Sequence, residues 1–418
     1  MDPIPAIQSM HRWEAYFSAP EGSSAFQFLY GKDSEALQVE RYRRVLCGFA
    51  ARFGEFPVAL ISAPGRTELC GNHTDHQHGR VVAAAVSLDL IAAVHPNEGS
   101  TMRVCSEGFG EATVSLENLA PCAAECGTSA ALVRGVAAAL RRAGFRAGGF
   151  DAFILSDVPQ GSGLSSSAAF EILLGTIHNI LFNAGTIPPI ELAKAGQTAE
   201  NAYFGKPCGL MDQAASALGG AHCIDFANPD CPDARKVPCD FDTHGVSLFI
   251  VNAGGSHAGL TQEYADIPAE MCSVAECFGC KVLREVSPAA FRAELPLLRG
   301  RIPDRALLRA MHFFAENERV LQMAEALQAG DMEAYRKGML ASGASSMALL
   351  QNVYPVSSVA ERSLSLALAL AENCLGPCGG AWRVHGGGFA GTIQALVPDA
   401  QADSFRAQLG SVFGAEHC

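Results

Sequence analysis

The run Gly161-Ser162-Gly163-Leu164-Ser165-Ser166-Ser167 stands between an apolar, strand-like stretch, FDAFILSDVP, and AAFEILLGTIHNILF, which repeats at helical period. Glycines let a backbone approach a ligand closely. The helix start beyond them offers unpaired N–H groups and a positive dipole end, both suited to phosphate. Three hydroxyls add donors, one of them able to ligate magnesium, although the same serines would cap an ordinary helix. The chain contains no Walker pattern of GxxxxGK with Ser or Thr after it. A dinucleotide fingerprint is only half met, because Ser166 stands at the third glycine position and no acid closes a following strand.

A second cluster, Arg66-Thr67-Glu68-Leu69-Cys70-Gly71-Asn72-His73-Thr74-Asp75-His76-Gln77-His78, follows the strand-like VALISAPG. So many hydrogen-bonding side chains in one turn suit a polyhydroxylated ligand such as a sugar. His73, His76 and His78 equally suit a metal, and a solvated polar loop would look the same. In Pro207-Cys208-Gly209-Leu210-Met211-Asp212 an acid stands at a helix start. The dipole there favours its ionised form, and a plain N-cap also belongs there. Glu200 sits near the end of the preceding helix, where the dipole repels an anion, so a metal partner would account for it. The late GGGFAG, Gly386 to Gly391, reads by itself as a turn or bulge.

The elements that must carry these groups alternate in type. The first forty residues read as helical, and Tyr42 to Phe53 forms a helix closed by Gly54. VALISAPGRTEL reads as a strand running into a turn at Pro64-Gly65, and VVAAAVSLDLIAAVHP as one or two buried strands ended by Pro96. Short strands over 101–106 and 111–116 lead to helices over 130–143, 168–182, 190–204 and 211–218. From about residue 240 a new unit begins with VSLFIVNAG, and the polar ANPDCPDARKVPCD marks the boundary. Lobes of 1–225 and 240–418 in an α+β chain are therefore expected.

Composition narrows the setting. With 418 residues, 49% hydrophobic and 17% charged, the chain is globular and long enough for two or three domains. A formal net charge of −13, spread without blocks, disfavours nucleic acid or an anionic membrane as the main partner. The longest apolar stretch, Val81 to Val94, is interrupted by Asp89 and too short to span a bilayer. Fifteen cysteines, with a start that lacks the basic and apolar regions of a signal peptide, point to reduced thiols in the cytoplasm. Cys277 and Cys280 make a CxxC near Cys272, and Cys374 and Cys378 are close in sequence. The first group reads helical, and no second CxxC stands at zinc-ribbon distance, so thiols are expected rather than structural zinc.

In chain order, APGRTELCGNHTDHQHG, PQGSGLSSSAA, PCGLMDQ and GAWRVHGGGFAGT resemble the motifs of the GHMP small-molecule kinases and, within them, of the galactokinase family. The resemblance runs from Ala63 through Leu396. It implies an α+β, two-lobed fold: a lobe like ribosomal protein S5 domain 2 with a left-handed βαβ feature, a ferredoxin-like C-terminal lobe, and the active site between them. It also implies ATP-dependent phosphorylation of a monosaccharide at its C1 hydroxyl, with D-galactose the first choice. Gly161, Ser162, Gly163, Leu164, Ser165, Ser166 and Ser167 would wrap the ATP phosphates, with Ser106 near the nucleotide. Ser167 and Glu200 would hold Mg2+. Asp212 would take the proton of the C1 hydroxyl, and Arg66 beside it would keep it ionised and stabilise the transferring phosphoryl group. Asn72, His73, Asp75, Gly209 and Tyr264 would contact the sugar. The partners implied are a small-molecule sugar and ATP; the sequence implies no protein partner.

Three positions depart from the family pattern. Asn72 stands where the family has Glu, and Glu68 where it has Asn. A neutral amide accommodates a C6 hydroxyl or a C6 carboxylate, so galacturonate joins galactose, with N-acetylgalactosamine and L-arabinose as further acceptors to test. His76 replaces a Tyr. The Arg pair that follows the sugar-contacting Tyr is missing from EYADIPAEM, although NAGGSHAGL keeps the pattern of a strand ending at a His. Some relatives sense sugar and ATP without turnover, but Arg66, Asp212, Glu200 and the three serines together point to an enzyme.

Overall fold

The computed structural model describes residues 6–31, 34–108, 110–159, 161–255 and 259–417; Gln160 of the serine motif and 256–258 of NAGGSHAGL lie outside them. Contacts divide the chain into two units that interleave along the sequence. Met1–Arg66, Ala85–Pro159 and Ser165–Gly219 form one, and Thr67–Ala84, Gln160–Leu164 and Gly220–Cys418 the other. The expected lobes, 1–225 and 240–418, are each a single stretch of chain. Two strands are long enough to take part in both units, β1 (Ala59–Cys70) and β2 (Arg80–Pro96).

β1 passes straight through Pro64-Gly65, where a turn was expected. Among the described residues it pairs only with β2, so the missing Pro64 N–H is not required on its other edge, and the Pro64 carbonyl accepts from Ser216 Oγ at 2.7 Å.

In the first unit β2 pairs antiparallel with β5 (Phe150–Ser156), which runs parallel to β3 (Thr101–Ser106), itself antiparallel to β4 (Gly110–Ser115). The parallel β3–β5 pair requires a crossover, made by β4 and the helix Ser129–Arg142. The helices Ser166–Phe182, Pro189–Ala199 and Met211–Leu218 complete that unit and present the serine loop, Glu200 and Asp212. An N-terminal helical layer ends in Glu35–Phe53, whose Val45, Leu46 and Phe49 pack with Trp13, Phe17, Ile91 and Leu155.

A buried ion pair ties that layer to the sheet. Arg41 Nη1 lies 2.5 Å from Asp89 Oδ1 on β2, and Arg41 Nε stands 2.9 Å from Asp157 Oδ2 beyond β5. Asp89 also accepts from the Tyr30 hydroxyl at 2.6 Å and from the Ser62 hydroxyl. This explains the charge that interrupts the apolar run of β2.

In the second unit, residues 80–84 of β2 pair with β6 (Ala221–Asp225), which pairs with β7 (Asp233–Lys236). The segment read as a linker thus carries a strand. β7 is short and mostly exposed, so it has no apolar alternation to announce it. β8 (Val246–Asn252), β10 (Thr392–Pro398) and β9 (Ala381–Val384) form a three-stranded antiparallel sheet in the order β8-β10-β9. The helices Ser363–Leu375 and Ala402–Phe413 pack on it through Leu364, Leu368, Phe405 and Leu409. The helix expected through Cys277 and Cys280 ends at Glu276. The described cysteines are free thiols, and among the described residues no group of three or more His, Cys, Asp or Glu gathers as for a metal ion. No helix of the described residues is long and apolar enough to cross a membrane.

Removing the Asp89 carboxylate strands a buried guanidinium. Asp89→Ala is expected to lower unfolding free energy by about 3–5 kcal/mol in a urea titration, far more than the exposed pair Arg44–Glu107 would on loss of either partner.

Candidate active site

Arg66, near the end of the stretch of β1 that belongs to the first unit, grips Asp212 with two parallel bonds. Nε donates to Oδ1 at 2.8 Å and Nη2 to Oδ2 at 2.6 Å. The Ser165 hydroxyl donates to the same Oδ2. Leu210, not Asp212, is the N-cap of the helix Met211–Leu218, and Ser165 caps the helix Ser166–Phe182 with backbone only. Both side chains are therefore diverted from capping, and the first N–H groups of the serine-loop helix are left for a ligand. Ser165 reaches Asp212 from a left-handed backbone, φ 60°, a conformation that costs a non-glycine residue on the order of 1 kcal/mol or more. Burial alone would raise the Asp212 carboxyl. The Arg66 charge and hydrogen bonds, the Ser165 hydroxyl and the Lys206 charge outweigh burial and bring it down to about 2. The Asp212 side chain is 27% exposed, so an ionised carboxylate faces outward.

Glu200 stands where the helix Pro189–Ala199 runs into a π-turn. Its Oε1 accepts from Ser167 Oγ at 3.1 Å and from Lys206 Nζ at 3.0 Å. Its Oε2 accepts from Gln213 Nε2 at 3.0 Å, and that amide also donates to Glu171 Oε2 at 2.9 Å. Burial first, and the neighbouring Glu200 second, push the Glu171 carboxyl well above the usual carboxylate range. Ser167 and Glu200 are two hard oxygen donors, the number of protein ligands magnesium commonly takes beside phosphates and waters. The Lys206 ammonium on Glu200 Oε1 marks the same oxygen as a place for a cation. The residues fit the ion. Lys206, Gln213 and Glu171 were not anticipated from sequence; the one available signal was that all three lie in or beside the motifs quoted.

In the second unit, three of the expected sugar contacts grip three successive carbonyls of the glycine run. Asn72 Nδ2 donates to Gly386 O at 2.5 Å, His73 Nε2 bonds Gly387 O at 2.9 Å, and the Tyr264 hydroxyl donates to Gly388 O at 2.7 Å. Gly388 has φ 79°, and a Cβ there would lie 2.1 Å from Asn352 O, so only glycine fits. A carbonyl can only accept, hence His73 carries its proton on Nε2 and offers Nδ1 as an acceptor. Burial first, then His76, bring His73 down to about 3, so it is neutral. Asp75 opens a short 3-10 turn and accepts from His76 N at 3.0 Å.

Asn72 is an interior residue. It is wholly buried, its Oδ1 accepting from Asn352 Nδ2 at 2.7 Å and its Nδ2 lying 3.3 Å from Glu68 Oε1. Its carboxamide is enclosed because Glu68, paired with the buried Arg383, and Gly386 draw it inward.

Gly163, φ 71°, packs on Thr392 and His385, where a Cβ would stand 2.5 Å from Thr392 Oγ1. Gly161 also has positive φ, and Leu164 N bonds Ser162 Oγ at 3.4 Å. Ser166 is the first residue of its helix, and Gly209 stands just before the N-cap Leu210. Ser106 lines a cleft of about 360 Å³ together with Val104, Glu111, Glu125 and Thr128.

Comparison with known proteins gives the following. Residues 102–220 match the GHMP kinases N terminal domain, and residues 48–96 match the galactokinase galactose-binding signature. The chain is 34% identical over 362 residues to a galactokinase of Actinobacillus pleuropneumoniae, covering 86% of this chain and 90% of that one. A Streptomyces coelicolor galactokinase is 34% identical over 369 residues, covering 88% and 92%. The crystal structure of Lactococcus lactis galactokinase complexed with galactose superposes with a TM-score of 0.78 at 27% identity, covering 89% of this chain and 94% of the other.

Two tests follow from this geometry. Because the Asp212 carboxyl is depressed in the folded state, its stabilising share is complete above about pH 4 and is lost as pH falls toward 2. Carbon-13 NMR of labelled aspartate will find it ionised at pH 3, and Arg66→Met will move its titration upward, burial then being opposed by Ser165 and Lys206 without the Arg66 charge. Asn72→Glu puts a second carboxylate beside Glu68 and is expected to cost about 3 kcal/mol or more in urea unfolding. Glu68→Asn in the same chain returns much of that loss, a coupling read by double-mutant cycle.

Proposed function

Since this chain belongs to the galactokinase family of the GHMP kinases, we propose that it transfers the γ-phosphoryl group of ATP to the C1 hydroxyl of D-galactose. The observation that carries the assignment of roles is the Asp212 carboxylate, held ionised by a bidentate Arg66 and touched by the first serine of the SSS run. Asp212 accepts a hydrogen bond from the C1 hydroxyl and takes its proton as the new P–O bond forms and the bond to the β-phosphate oxygen breaks, leaving ADP. Its depressed pKa means that a base is at hand throughout the neutral range.

Phosphoryl transfer depends on alignment and charge neutralisation more than on covalent chemistry. Arg66 supplies one fixed charge beside the reacting hydroxyl. The backbone of Gly161 to Ser167 and the uncapped helix start supply N–H donors to the phosphates, and Ser106 belongs to the nucleotide side. Ser167 and Glu200 would hold magnesium, which when bound offsets phosphate charge. His73 through Nδ1, Asp75, Gly209 and Tyr264 form the sugar-recognising set, and Asn72 supports it from beneath. Galactose is preferred over galacturonate in this reading, because the Asn72 amide donates to the Glu68 carboxylate and that carboxylate pairs with Arg383, leaving the exchange of residue types internal. A cytoplasmic setting, where ATP and reduced thiols coexist, is part of the proposal.

Release of ADP with Mg-ATP, measured across galactose, N-acetylgalactosamine, L-arabinose and galacturonate, tests it. Galactose is expected to give the highest kcat/KM. Asp212→Asn should keep the native circular dichroism and lower kcat by about 10²–10⁴. Faster turnover of galacturonate would overturn the substrate, and ATP binding without ADP release for every sugar would make the protein a sensor.

A further inference from the structure

Glu200 has four oxygen lone-pair directions and a crowded set of neighbours. Gln213 and, through it, Glu171 fix Oε2 from the buried side, so Oε1 is the atom left to face a cation. Two donors meet there, the Ser167 hydroxyl and the Lys206 ammonium. The two partners of the ion pair differ sharply in freedom. The Glu200 side chain is 3% exposed, whereas that of Lys206 is 63% exposed, on the short segment between the π-turn and the helix Met211–Leu218. A fixed, buried carboxylate is thus neutralised by a cation on a flexible arm that can leave without disturbing the core.

We propose that Lys206 is a phosphate-binding cation held in waiting on Glu200. Its ammonium neutralises the carboxylate in the resting enzyme, is displaced when a divalent ion takes Oε1, and then pairs with the phosphates of the nucleotide that brings the ion. This rests on the reading of Glu200 as a metal ligand. The two lone pairs of Oε1 are already engaged by Ser167 and Lys206, and a divalent ion bound there repels the ammonium, so metal entry expels it. The four-carbon stem keeps the expelled charge close, in the field of both Glu200 and Asp212, whose charges each act on Lys206. With the Glu200 charge neutralised by the metal, the nearest surplus of negative charge is the polyphosphate, and a compact ammonium is a good point-charge partner for it.

The two halves of the proposal pull in opposite directions, which makes it testable. Binding of Mn2+ alone to the full chain is followed by electron paramagnetic resonance, and steady-state kinetics are measured with Mg-ATP. Lys206→Met is expected to bind Mn2+ roughly three- to tenfold more tightly, because no ammonium competes for Glu200. The same variant should raise KM for Mg-ATP about tenfold while leaving KM for galactose unchanged, and Lys206→Arg should restore most of the ATP affinity. Glu200→Gln should lose the Mn2+ site. Unchanged Mn2+ affinity in Lys206→Met, with the site lost in Glu200→Gln, overturns the inference and leaves the metal assignment standing, as does an unchanged KM for Mg-ATP. Unchanged Mn2+ affinity in Glu200→Gln overturns both.

Discussion

The bidentate pairing of Arg66 with Asp212 is the constraint around which the first unit is arranged. Two groups 146 positions apart in the chain must meet with their planes aligned, and both must be largely withdrawn from water. A charge pair so placed has a desolvation penalty that its own attraction only partly offsets. Its value is geometric: it keeps one carboxylate ionised and aimed. The rest follows from that requirement. β1 has to run through Pro64-Gly65 without turning in order to deliver Arg66, and Ser216 on the Asp212 helix accepts the duty of bonding the Pro64 carbonyl. Ser165 has to adopt a left-handed backbone so that its hydroxyl reaches the acid instead of capping its helix.

The second unit answers a different requirement, the display of a flexible glycine run in one conformation. Glycines at 386 to 388 bring no side chains of their own to define a turn, so their carbonyls are held one by one by Asn72, His73 and Tyr264. Asn352 adds a second bond to Gly387 O at 3.1 Å and accepts from Phe389 N at 2.6 Å. A neutral imidazole has a donor on one nitrogen and an acceptor on the other, and His73 spends its donor on the Gly387 carbonyl.

Much of this was legible in the sequence, and the reasons for the rest are physical. Strand and helix positions with strong periodicity, such as β5 and the helix after the serine loop, stand where pattern places them. The straight passage of β1 was not legible, because proline and glycine announce a turn unless one edge of the strand is unpaired, which is a tertiary fact. β7 was hidden for the opposite reason: four mostly exposed residues leave no alternation to read. Asp212, Arg66, Glu200 and Ser167 were named from motifs and are joined in the pairs expected. Gln213, Glu171 and Lys206 were not, because a side chain that acts by touching another side chain gives no signal in spacing. Asn72 carries the same lesson in reverse. Its place in a polar loop suggests a surface role, while Glu68 four residues earlier and Arg383 far along the chain decide that it is enclosed.

The alternation of the two units along the chain bears on how such a protein can be inherited. The polypeptide crosses between the units once within β1, once within β2, twice around the serine loop and once at Gly219-Gly220. No single cut in the corresponding gene yields either unit as a continuous piece. Recombination that shuffles whole domains between proteins therefore has no seam to use here, and new substrates must be reached by replacing side chains in place. Glu68 and Asn72 are side chains of this kind, four positions apart and bonded to each other, with Arg383, Gly386 and Asn352 of the same unit holding them.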